Sequence, residues 1–189
     1  MAHGMGLALA INHPAGSISN PLEQQILQNA DVALDENGFS QYGKYHDEAG
    51  SFTRTLAYTQ YAQRNGTAVA SINKFPAGTI RPEEMEYVLA GYLLANEGGL
   101  MLFTGTRYNA EQYHAEYTTA IGRPCSSTTG GPLFTRRFSG GFVLLNDSKS
   151  STSVSLPSNA LRDIEGRRLS NPLRVGPMDA YVLVGAGGC

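Results

Sequence analysis

Apolar residues along the first hundred positions fall into short runs separated by longer amphipathic stretches. "GLALAIN" (6–12), "DVALDE" (31–36), "TAVASINKF" (67–75) and "LMLFTG" (100–105) are apolar throughout and bounded by turn residues, and are expected to be buried strands. Between them, "NPLEQQILQNA" (20–30) carries Asn20 as a helix cap with Pro21 at the first helical position. "DEAGSFTRTLAYTQYAQRNG" (47–66) places Phe52, Leu56, Tyr58 and Tyr61 near helical spacing and stops at Asn65-Gly66. "RPEEMEYVLAGYLLANEGG" (81–99) is the third helix, closed by Gly98-Gly99. Strands apolar on both faces that alternate with helices predict a parallel sheet covered by helices. Right-handed crossovers bring all strand C-terminal ends to one edge, where such sheets bind ligands.

A further helix is expected over 109–122, after which the texture changes. "RPCSSTTGGP" (123–132) is a Gly/Ser/Thr/Pro-rich loop and the best domain boundary. Beyond it, "LFTRRF" and "GFVLLN" flank a hairpin turn, and "STSVSLP", "LRVGP" and "DAYVLVG" are short alternating segments. They predict a small antiparallel β-sandwich, with Val154 and Leu156 facing inward.

Composition narrows the function classes. A net charge of −2, with charged residues at 16% against the usual ~25%, gives no reason to expect nucleic acid as a partner. No apolar run approaches the ~18 residues of a membrane span, and the N-terminal "MGLALAI" is too short for a signal peptide. The two cysteines, Cys125 and Cys189, make no metal spacing; spacing leaves a pairing across the chain open, but with Cys189 in the terminal "GAGGC" they are read as unpaired thiols. No His/Cys/Asp cluster suggests a metal, no phosphate-binding or dinucleotide pattern suggests a cofactor, and His46 and His114 are expected at the surface.

The phrase from Arg137 to Asn146, "RFSGGFVLLN", with the final "DAYVL" and the preceding "GGLMLFTG", resembles the end of a glycoside hydrolase. The similarity is to (β/α)8-barrel glycosidases with a C-terminal β-sandwich, in the amylase and α-galactosidase-like superfamily. It implies an α/β chain: a partial (β/α)8 TIM barrel (its last four βα units) over residues 1–122 and a β-sandwich over 132–189. Strands one to four would then be missing from a truncated sequence. The competing reading is a complete small open α/β sheet with a β appendix.

Two-carboxylate hydrolysis of O-glycosidic bonds needs acids at the C-terminal rim of the strands. Asp35 and Glu36 end the second strand. Alternation sets Val32, Leu34 and Glu36 on one face and Ala33 and Asp35 on the other. Small side chains commonly face a barrel's interior, which favours Asp35, whereas Glu36 lies closer to the loop and is freer to turn in. Glu36 is narrowly favoured as the pocket-facing acid, with Asp35 a near equal. The resemblance implies the acid/base role for it, with its partner lost upstream.

Sugar pockets also use amides, cations and aromatic platforms. Asn12, His13, Asn73, Lys74, Thr104 and Arg107 follow strand ends, and Phe39, Tyr42 and Tyr45 lie in the loop after Glu36. The expected ligand is a carbohydrate, with no cofactor. The alternatives are a non-catalytic carbohydrate-binding or structural protein that keeps the groove, and a complete α/β enzyme unrelated to sugars.

Overall fold

A computed structural model describes residues 3–76, 78–106 and 113–186. The chain runs β1 (Ala10–Asn12), α1 (Pro21–Gln28), β2 (Val32–Asp35), α2 (Ser51–Arg64), β3 (Ala68–Phe75), α3 (Pro82–Ala95) and β4 (Leu100–Thr106). Neighbouring strands pair in parallel, in the order β1-β2-β3-β4. Asn20 caps α1 as its sequence suggests, its side chain accepting from the Leu22 N–H at 3.0 Å. At α3 the carboxylate of Glu84 reaches back to accept from the Arg81 N–H at 2.9 Å.

In this sequential order, right-handed crossovers lay every helix against the same face of the sheet. Burial follows that asymmetry. Ala33, Asp35, Val69, Ser71, Asn73, Phe75, Leu100 and Thr104 are buried toward the helices. Their alternates Asn12, Leu34, Ile72, Lys74, Met101 and Phe103 lie on the other, open face, where all are half-buried or exposed.

The second half forms β5 (Thr129–Gly130), β6 (Leu133–Phe138), β7 (Gly141–Asn146), β8 (Thr152–Val154), β9 (Leu173–Val175) and β10 (Asp179–Val184). These make a four-stranded antiparallel sheet, β10-β7-β6-β5, and a separate β8-β9 hairpin. The molecule is thus mixed α/β, with one parallel and two antiparallel sheets. In place of the helix expected over 109–122, the described part has a short 3-10 turn, Ala115–Thr118. The thiol reading of Cys125 is also corrected, because Cys125 is disulfide-bonded; Cys189 lies outside the described residues.

One face of the antiparallel sheet, with Phe134, Val143, Leu145, Ala180 and Val182, joins Phe52, Tyr87 and the helices in a single core. The opposite face, with Phe142, Leu144 and Leu183, packs on Leu156, Leu161, Leu173 and Val175, and Val154 lies against that second cluster. Helix α3 is therefore covered by a sheet on each side. That accounts for its near-continuous apolar sequence, since a helix hydrophobic all round must be buried all round.

The antiparallel sheet also supplies charges to helix ends. The Asp147 carboxylate, just past β7, accepts from the Phe52 N–H at 3.4 Å and from the Thr53 N–H and hydroxyl at 2.9 and 2.8 Å. The N-cap residue of α2 is Gly50, at φ 90°, which has no side chain to do this. Arg136 on β6 donates through Nη1 to the carbonyls of Leu93 and Asn96 at 2.8 Å, satisfying the C-terminal end of α3. An anion at one N-terminus and a cation at one C-terminus both complement the helix dipole.

Candidate active site

The C-terminal edge of the parallel sheet brings together side chains from three adjacent strands. Glu36 follows β2 on the open face. Its Oε1 accepts from Asn12 Nδ2 at 3.1 Å, and its Oε2 lies 3.2 Å from Lys74 Nζ. The period-two alternation that puts Asn12 beyond Ala10, Glu36 beyond Leu34 and Lys74 beyond Ile72 makes the three converge. Beside them a shallow cavity of about 250 Å³ is lined by Leu34, Ile72, Phe103, Thr104 and Gly105 as well as Lys74. A carboxylate accepting at one oxygen and ion-paired at the other, an ammonium, an amide and an aromatic face thus share one rim.

Asp35 goes the other way. It is 1% exposed and lies on the helix-facing side of the sheet, where its Oδ1 accepts from the Asn37 N–H at 3.0 Å. Its Oδ2 is buried without a hydrogen-bond partner. Burial pushes its carboxyl above the ordinary aspartate range, against the backbone donors and His13 that favour the anion. Asp35 is therefore not a pocket-facing acid; strand alternation alone separates it from Glu36.

His13 also leaves the rim, its Nε2 lying 2.5 Å from Glu23 Oε2 on α1 while its carbonyl accepts from the Tyr58 hydroxyl at 3.2 Å. Asn73 is fully buried and structural. Its Oδ1 accepts from the Phe39 and Ser40 N–H groups at 2.6 and 3.1 Å, and its Nδ2 donates to the Phe103 carbonyl at 3.1 Å. It pins the turn after β2, where Gly38 sits at φ 52° and a Cβ would lie 2.5 Å from Asn73 Oδ1.

The loop aromatics expected as sugar platforms are mostly core residues. Phe39 is buried against α3, where a Cβ on Gly91 would lie 2.7 Å from its ring, so glycine makes room for it. Tyr45 is buried and stacks on Tyr87, with ring centroids 4.0 Å apart. Tyr42 is half-buried in a 3-10 turn at φ 56°. Thr104 lies at the end of β4 and hydrogen-bonds Tyr117. Arg107 lies outside the described residues. Half-buried His114 packs its ring against Tyr117 instead of lying free at the surface.

Sequence reading missed Phe103, which the alternation of β4 turns to the open face beside Lys74. The signal was present: Leu100 and Leu102 share one face, so Met101 and Phe103 must share the other. Among the described residues no group of His, Cys, Asp and Glu has the arrangement of a metal site, and no helix is long and apolar enough to cross a membrane.

No family model matches the chain, and no curated protein matches it by sequence. Among solved structures, it is similar to a noncanonic maltogenic alpha-amylase, AmyB from Thermotoga neapolitana, at 14% identity and a TM-score of 0.38. That superposition covers 95% of this chain and 52% of the amylase, so the chain spans about half the length of that neighbour.

Proposed function

We propose that the rim formed by Asn12, Glu36 and Lys74 is part of a carbohydrate site where an O-glycosidic bond is hydrolysed. On this reading the four βα units over residues 1–122 are half of a (β/α)8 barrel, and residues 132–189 form an accessory β-sandwich domain. The observation that carries the proposal is the position of Glu36. It stands at the C-terminal end of a parallel strand, on the open face, held between donors from the two neighbouring strands. A carboxylate held by an amide donor at one oxygen and an ammonium at the other is positioned as the nucleophile or base of a glycosidase pair, which attacks the anomeric carbon or activates water. Asn12 and Lys74 orient it, and their remaining N–H groups can donate to sugar hydroxyls. Phe103 offers an apolar face for a sugar ring. The disulfide at Cys125 fits a protein of an oxidising compartment, including a secreted one.

The test is turnover of a panel of α- and β-nitrophenyl glycosides by the chain and by Glu36→Gln. The glutamine keeps the size and the Asn12 contact but cannot act as base or nucleophile. A fall in kcat on the order of 100-fold or more, with KM little changed, supports the reading. Equal turnover by both proteins removes Glu36 from catalysis. One observation favours a non-catalytic, carbohydrate-binding alternative: among the described residues Glu36 is the sole carboxylate on the open face at this rim. Sugar retention in calorimetry with no cleavage in the panel selects that alternative.

A further inference from the structure

The triplet Asn-X-Ser/Thr, with X other than proline, is the acceptor pattern for N-linked oligosaccharide. It occurs twice in the sequence, at Asn65-Gly66-Thr67 and at Asn146-Asp147-Ser148. The fold treats the two copies in opposite ways. Asn65 closes α2 and opens the turn into β3. Asn65 and Gly66 are both exposed, and Gly66, at φ 84°, has open space where a Cβ would stand. Asn65 Nδ2 donates to the Tyr61 carbonyl at 2.8 Å, and its second N–H makes no hydrogen bond among the described residues. An amide nitrogen joined to a sugar keeps one hydrogen. Asn65 can therefore carry a sugar and still hold the end of its helix.

Asn146 is enclosed, at 1% exposure. Both of its N–H groups are used, on the carbonyls of Ser150 and Gly176 at 2.8 and 2.7 Å, and Ser148 donates to its Oδ1 at 2.8 Å. Asp147 between them is the buried acid that holds the first turn of α2. A sugar on Asn146 would break one of those buried bonds and find no room in the packed sheet.

We infer that Asn65 carries an N-linked oligosaccharide and that Asn146 does not. The donor is an oligosaccharide joined through its anomeric carbon to a polyprenyl pyrophosphate. The Asn65 Nδ2–C1 bond forms as the C1–O bond to the pyrophosphate breaks; the amide nitrogen gives up one proton and the lipid pyrophosphate leaves. Thr67 marks the acceptor only while the chain is extended. Once folded, its hydroxyl is buried, donating to the Leu27 and Ala30 carbonyls at 2.6 and 3.0 Å. Transfer therefore precedes the docking of Thr67 against the end of α1, and folding leaves the sugar outside. An independent observation points the same way: Cys125 is disulfide-bonded, and the secretory lumen that forms disulfides is where such transfer occurs. The surroundings are polar as well, with exposed Gln28 donating to the Tyr61 hydroxyl at 2.7 Å and exposed Arg64 paired with Glu97 at 2.7 Å. Asn65 precedes the N-terminal end of β3 while Lys74 lies near its C-terminal end, so ~20 Å of strand keeps the oligosaccharide clear of the rim around Glu36.

Mass spectrometry of the protein from the cells that make it is the deciding measurement. Its intact mass should exceed that of the sequence by a single oligosaccharide. Peptide-N-glycosidase in water labelled with heavy oxygen should convert Asn65, and not Asn146, to labelled aspartate. The label separates a removed glycan from spontaneous deamidation of Asn65-Gly66, which leaves unlabelled aspartate. The full chain, sent through a eukaryotic secretory pathway by an added leader, should gain one oligosaccharide too. Asn65→Gln should lose it with unchanged far-UV circular dichroism, and Thr67→Ser, which keeps the buried hydroxyl, should retain it. Should Asn65→Gln fail to fold, the labelled peptides of the unaltered protein give the answer alone. No label at Asn65, a label at Asn146, or an undiminished oligosaccharide on secreted Asn65→Gln overturns the inference. A labelled Asn65 on a protein that cleaves no glycoside supports the modification and refutes the hydrolase reading alone.

Discussion

Asp35 and Glu36 are adjacent in sequence and opposite in circumstance. Glu36 reaches water and two donors on the open face, whereas Asp35 is enclosed with one oxygen unpartnered. A carboxyl whose folded pKa is raised binds more protons when folded than when unfolded. Its contribution is therefore fully present below its unfolded value and is lost as pH rises through the folded one. Asp35→Asn, which keeps an oxygen for the Asn37 N–H, should remove that loss. The urea midpoint of the variant should exceed that of the parent at pH 7 and converge with it toward pH 3. Convergence at pH 7 instead would mean that the second oxygen has a partner in solution. Alternation separated these two acids but did not say which face is open: the small Ala33 beside Asp35 pointed to the wrong one, and only the nearness of Glu36 to the loop favoured it. The fate of Phe39, Tyr45 and Asn73 was not legible. Loop position gives no periodicity, and what buries these side chains is α3, whose place over the loop is a tertiary fact.

Among the elements, α2 at its N-terminus and α3 at its C-terminus take their end groups from the antiparallel sheet rather than from their own flanks. Asp147→Ala should cost about 1–2 kcal/mol, the ordinary price of a lost N-cap. Arg136→Ala, which leaves the Leu93 and Asn96 carbonyls without their donor, should cost about 1.5–3 kcal/mol. Both would be read from denaturant midpoints, with one coincident transition by circular dichroism and tyrosine fluorescence because the two sheets share a core. A smaller effect at Asp147 than at an exposed acid such as Glu48 would dismiss the capping role. The strands other than β5, the three α-helices and the β6-β7 hairpin were readable from period and turn residues, whereas β5 lies in the stretch 123–132 read as a boundary loop. The helix expected over 109–122 was over-read from its residue types, because the described 113–122 offers little apolar stripe and forms a single 3-10 turn. The capping pairs were unreadable for a different reason: nothing local marks an aspartate as the cap of a helix 94 residues earlier.

At the scale of the molecule, the contact between helical layer and antiparallel sheet contains a titratable joint. Glu86 on α3 accepts from the Val182 N–H of β10 at 2.9 Å. Burial, with Asp179 and Asp163 nearby and Arg167 opposing them, pushes its carboxyl up to about 7. The raised value means that stability from this group is full below about pH 4.5 and is lost as pH climbs through 7. Glu86→Gln should flatten that decline, gaining up to about 3 kcal/mol over the parent at pH 8 and nothing at pH 4. Thermal melts across pH 4–8 would show it, and parallel curves for the two proteins would dismiss it. The Asp147 contact has a temporal consequence as well. A ribosome releases residues 52 and 53 long before it releases the acid that holds their amides. Through most of synthesis the first turn of that helix has no counter-charge, and it settles only when the last third of the chain has emerged to supply one.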